Sequence, residues 1–127
     1  PKPPKLTRNS HYFVSDEHRH DLFRKHIADS GGVFIGLGTD QNYLMAGWAR
    51  PEILVPLDFD QMVVDLHFAF RAIFLKAETP KEFIRMWSEE RFEETRALIA
   101  EAYEDPEKQK RVRKAFKRGR RHVHKRP

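Results

Sequence analysis

Cysteine is absent from the 127 residues. Its absence excludes a disulfide framework, thiolate metal sites and thiol nucleophiles, but it does not fix a compartment. No apolar run approaches the roughly 20 residues that span a bilayer as a helix, and no charged-then-apolar leader opens the chain. The first residues are Pro1-Lys2-Pro3-Pro4 with no methionine. Removal of a leader or an added flank is therefore expected, with cytoplasmic residence as the expectation and an exported mature form as the alternative. No Gly-x-Ser-x-Gly elbow occurs, so serine-type nucleophilic catalysis has no support. Strands are scarce as well: two good ones stand where a complete doubly wound domain needs about five or more. Acid is nearly missing from the end of the chain. From Glu107 onward eleven Lys and Arg face one acid, whereas residues 1–106 carry thirteen bases against eighteen acids. The net charge of +5 thus divides into an acidic body and a basic tail.

What is present suffices for one small domain or a piece of one. Apolar residues make up 39% and charged residues 34%, enough for a modest core. Residues 1–10 are proline-rich and polar, the composition of a weakly ordered arm. Ser15 or Asp16 can cap a helix to about Asp29, with Leu22, Phe23 and Ile27 on its apolar side and Gly31-Gly32 as its stop. Val33 to Leu37 then reads as a strand, Asp40 to Ala49 as a short helix, and Ile53 to Leu57 as a strand apolar enough to be covered on both faces. Pro56 within it favours an edge, a bulge or the strand's end.

Gln61 to Lys76 carries Met62, Val63, Leu66, Ala69, Phe70, Ile73 and Phe74, the three-and-four spacing of a helix with one buried face. Thr79-Pro80-Lys81-Glu82 is a capping box with proline at the first helical position. The helix it starts breaks near Ser88 and is followed by another that begins after Asp105-Pro106.

The chemistry-bearing stretch is Val33-Phe34-Ile35-Gly36-Leu37-Gly38-Thr39-Asp40-Gln41-Asn42, followed by Leu57-Asp58-Phe59-Asp60. A strand, a glycine bend and a helix, then a second strand ending in acids, form the start of a nucleotide-binding βαβ unit. There the glycines let the backbone approach the ligand and the acid accepts from ribose hydroxyls. Gly36 and Asp58 lie 22 residues apart, close to the usual spacing of about 20. The dinucleotide pattern asks for a third glycine where Gln41 stands, which disfavours nicotinamide and flavin cofactors.

These residues, with Tyr12-Phe13-Val14-Ser15-Asp16-Glu17, Val63-Val64-Asp65-Leu66-His67 and Thr79-Pro80-Lys81-Glu82-Phe83, resemble an uncharacterised group of bacterial proteins that look like S-adenosylmethionine-dependent methyltransferases. The resemblance implies a Rossmann-like parallel sheet with flanking helices, of which this chain would hold the N-terminal half. It implies S-adenosylmethionine as cofactor, bound through Gly36, Gly38, Thr39, Asp40 and Asn42 in the bend, with Asp58 or Asp60 on the ribose. Against that family's acid-x-Gly-x-Gly-x-Gly motif the chain matches at Gly36 and Gly38 and departs at Phe34 and Asp40.

Asp58 and Asp60 also admit a divalent-metal reading, since hard cations take carboxylate oxygens. The histidines at 18, 20 and 26, and at 122 and 124, are expected to be surface residues and no metal site is expected; positions two apart lie on different helical faces. His67 reads as a helix-side histidine with a partner. The fold class expected is therefore α/β, an incomplete Rossmann-like domain over 11–106 followed by a basic helix over 107–127. Three functions follow as expectations. The first is a methyltransferase-like nucleoside-cofactor binder whose catalytic competence is left open. The second is a module binding nucleic acid or an acidic partner through Lys108 to Arg126. The third is a self-associating fragment using its strand edges.

Overall fold

The structure is a computed structural model and describes residues 10–125. The expected arm lies, Ser10 apart, outside the described residues, as does Arg126. Among the described residues the chain is mixed α/β, with six helices and one two-stranded parallel sheet. Strand β1 is Val33–Leu37 and β2 is Ile53–Leu57, with Val33 opposite Ile53 and Leu37 opposite Leu57. Helix α2, Gln41–Ala49, makes the crossover between them. A two-stranded sheet is all edge, the setting in which Pro56, opposite Gly36, is tolerated.

Before the sheet, α1 spans Asp21–Ile27 and starts later than Ser15 or Asp16. The Ser15 hydroxyl accepts from the Glu17 N–H at 3.1 Å, and the Ser15 N–H donates to Asp40, so its capping chemistry serves a turn. No residue of α1 is buried, and Leu22 and Phe23 are more than half exposed. The helix packs chiefly on α2, which leaves its apolar side uncovered.

Downstream lie α3 (Gln61–Lys76), α4 (Pro80–Arg85), α5 (Phe92–Glu101) and α6 (Pro106–His124). Their starts follow side-chain chemistry. Asp60 accepts from Met62 N–H at 2.9 Å, Thr79 from Glu82 N–H at 3.1 Å, and Asp105 from Glu107 N–H at 3.0 Å, each satisfying an orphan donor of a first turn. No helix among the described residues is long and apolar enough to cross a membrane.

The core forms where α3 crosses α6. Leu66, Ala69, Phe70 and Ile73 meet Val112, Ala115 and Phe116, with Met86, Trp87 and Ile99 closing the sides. Gly119 permits the close approach, since a Cβ there would stand 2.9 Å from Leu66 Cδ1 and 3.1 Å from Phe13 Cδ1. The sheet sits beside this core, touched by α2 and α3. Val33, Ile35 and Leu37, with Ile53 and Leu57, remain 46–73% exposed on the face they share. The expected double coverage of β2 is thus not met. Its unbroken apolar run supplies side chains for two faces, and the described helices cover one.

Candidate functional site

Parallel pairing carries the C-terminal tips of both strands to one end of the sheet, the end at which open α/β folds bind ligands. At β1's tip, Gly38 adopts φ +86°, a left-handed conformation that glycine accepts without strain, and its N–H donates to Leu57 O at 3.1 Å. The bend is then tied from within. The Gln41 amide donates to Leu37 O at 2.8 Å and accepts from Thr39 N–H at 3.1 Å. Buried Asn42 donates to Leu37 O at 3.2 Å and to Thr39 O at 3.1 Å.

A second tether reaches the bend from α3. His67 Nε2 lies 2.8 Å from Gly38 O and therefore donates to it. That fixes the tautomer and leaves Nδ1 to accept from the Tyr43 hydroxyl at 2.6 Å. Burial holds the His67 imidazole below its ordinary range, against the opposing pull of the Gly38 carbonyl, Asp58 and Asp40. Burial likewise pushes the Tyr43 phenol up. The pair is a neutral support for the bend.

At β2's tip, Asp58 Oδ1 accepts from Asp60 N–H at 2.7 Å, and its Oδ2 has no hydrogen bond among the described residues. Asp60 is fully engaged: Oδ1 caps α3 and Oδ2 accepts from His11 Nδ1 at 2.6 Å. The His11 contact belongs to a strap, residues 10–17, that crosses the strand tips. The strap is held a second time where Ser15 N–H donates to Asp40 Oδ1 at 2.7 Å. Along it Phe13 is buried and stacks on His122, while Tyr12 and Val14 face the opposite way.

Between strap and tips lies a cavity of about 650 Å³, within the size range of small-molecule sites. Of the seven residues that the sequence nominates, Gly38, Thr39, Asp58 and Asp60 line it, and Gly36, Asp40 and Asn42 do not. Gly36 is small for another reason: a Cβ there would fall 1.9 Å from Asn42 Oδ1. Asp40 anchors the strap, and Asn42 braces the bend. Ser10, Tyr12, Ser15, Asp16, Glu17, Gln41 and Phe59 join the lining, and no motif had marked any of them for a site role. The period-two alternation of Tyr12-Phe13-Val14 carries the signal, one side chain to the core and its neighbours to the cavity.

Four carboxylates, those of Asp16, Glu17, Asp58 and Asp60, border the cavity, and none of its lining residues is Lys or Arg. Such a lining favours cationic or hydroxyl-bearing groups and repels phosphates. Among the described residues no three of His, Asp and Glu gather as a metal-binding set, and Asp60 has both oxygens committed.

Comparison with proteins of curated function gives no match. The model of the family described as "Domain of unknown function (DUF7790)" matches residues 12–127, from the strap through the glycine bend and both strands to the basic helix, and the chain belongs to that family.

Proposed function

We propose that the protein binds a nucleoside cofactor of the S-adenosylmethionine type in the cavity between the Gly38 bend and Asp58, on a Rossmann-like βαβ unit. The observation that carries this reading is the meeting of that bend and that carboxylate in one cavity beneath the strap. Asp58 Oδ2 is available to accept from ribose hydroxyls. Phe59 and Tyr12, 78% and 69% exposed beside the cavity, offer faces to a purine. Asp16 and Glu17 complement the positive sulfonium and ammonium of this cofactor, where a phosphate-bearing nucleotide would be repelled. When bound, the cofactor would supply an electrophilic methyl group. The chain's own residues orient the ribose, hold the bend and shield the cavity, and no residue is assigned as a catalytic base.

Titration calorimetry with S-adenosylmethionine tests the proposal. Asp58→Asn retains an oxygen to accept from Asp60 N–H but loses the charge, and it should weaken binding roughly 10- to 100-fold, the cost of about 1.5–3 kcal/mol for a hydrogen bond to a charged group. ATP should bind more weakly than S-adenosylmethionine. Equal heats from the parent and Asp58→Asn, or tighter binding of ATP, would remove the idea.

A further inference from the structure

The cavity makes no use of the strongest charge feature of the molecule, which lies on α6. This helix has one acid, Glu107, confined to its first turn, and its apolar stripe of Val112, Ala115, Phe116 and Gly119 is buried against α3 and α5. At 3.6 residues per turn, Lys110, Lys114, Lys117, Arg121 and Lys125 fall within about 80° of arc on the opposite side, along roughly 22 Å of helix. All five are exposed, and none forms an ion pair among the described residues.

The structure also removes bases that the sequence alone would count. Lys108 lies 3.6 Å from the Phe68 ring centroid and 4.6 Å from that of Tyr103. Arg111 pairs with Asp65 at 3.4 Å, and Arg120 is buried between Glu89 and the Phe92 ring. What remains is the straight row of five, with Arg113 and Arg118 on its flanks, the latter 5.9 Å from the Phe13 ring centroid.

We propose that this row is a docking surface for the phosphate backbone of B-form DNA, bound without regard to sequence. The chemistry of the row selects the partner. A duplex offers a continuous line of charge, about one per 1.7 Å of axis, which matches a row without interruptions. Single strands are bound by stacking on exposed aromatics, and the row has none, because Phe116 is buried. Base-edge readout takes amide side chains as well as Arg, and α6's one glutamine, Gln109, is spent on Tyr103 O at 2.6 Å. Double-stranded RNA is recognised through its 2′-hydroxyls, for which the row carries no amide or hydroxyl side chain. The row is independent of the cavity, so the proposal stands whether or not the cofactor binds.

The test is fluorescence anisotropy of the full chain with a mixed-sequence DNA duplex of about 20 base pairs, between about 50 and 200 mM salt. With five bases engaged, log K should fall against log salt with a slope of about −4.5. Changing Lys114, Lys117 and Arg121 to Gln should bring the slope to about −2 and weaken binding at low salt by at least tenfold. The control changes the exposed Lys76, Lys81 and Arg85 to Gln, which removes the same charge elsewhere and should leave slope and affinity near the parent's. Far-UV circular dichroism checks that both variants fold. The proposal is overturned by a flat salt dependence, or by equal losses in the two variants, which would make the row a solvated face. Tighter binding of duplex RNA or of polyglutamate than of DNA would overturn it as well. So would low-salt self-association abolished by the row variant, which would mean that the row meets the acidic body of a second copy.

Discussion

Gly36 and His67 show how far a residue's role can lie from its motif. In a glycine-bend motif Gly36 reads as a place where backbone meets ligand. Here it makes room for Asn42, whose side-chain amide holds two carbonyls of the bend. Gly36→Ala should therefore cost about 1–3 kcal/mol, the usual penalty for overpacking. Paired with Asn42→Ala it should cost less than the two changes summed, which a double-mutant cycle in urea measures. His67 leads to a pH prediction. Its proton affinity is depressed in the fold, so between the folded value and the ordinary 6.5 the unfolded chain binds the extra proton. Its contribution to stability is full above pH 6.5 and is lost as pH falls below it. His67→Gln should flatten that part of the stability profile in thermal melts from pH 7.5 to 5. Nothing in the sequence foretold the Tyr43 and Gly38 partners, because they lie 24 and 29 positions away on other elements.

At the scale of elements, the sequence was most legible where local chemistry acts alone. The two strands follow their apolar runs, and α3, α4 and α6 begin at the caps that Asp60, Thr79 and Asp105 provide. Legibility failed where a side chain had a distant use. Ser15 resembles a cap and instead orders a turn in the strap, which displaces the start of α1 to Asp21. The apolar positions of α6 are few, yet Val112, Ala115 and Phe116 are all fully buried, so this most charged helix is also one wall of the core. Phe116, ringed by Trp87 and Phe92, should cost about 3–5 kcal/mol when truncated to Ala. Chemical denaturation followed by tryptophan fluorescence, to which Trp48 and Trp87 both contribute, measures that loss.

For the whole molecule, charge and apolar surface are sorted into separate regions. Acids border the cavity, bases line the outer face of α6, and the uncovered face of the sheet is aliphatic. That face holds Val33, Ile35, Leu37, Ile53 and Leu57, an aliphatic patch flanked by strand edges that pair with no further strand among the described residues, a setting that templates association. Ile35→Lys, at a position 64% exposed, should change the melting temperature little and reduce aggregation on heating. Static light scattering during a thermal ramp distinguishes the two effects. The division of charge was legible in the sequence, but the bare face was not, because an apolar run announces that it can be buried and not what will bury it.

The strap is fastened at His11 and at Ser15, and between those points Tyr12 and Val14 line the cavity. Both fastenings end on carboxylates, Asp60 and Asp40, that belong to the loops following β2 and β1. One short stretch of chain thus ties the two strand ends to each other, and Phe13, seated in the core midway between the ties, joins both ends to the packing of α3 and α6.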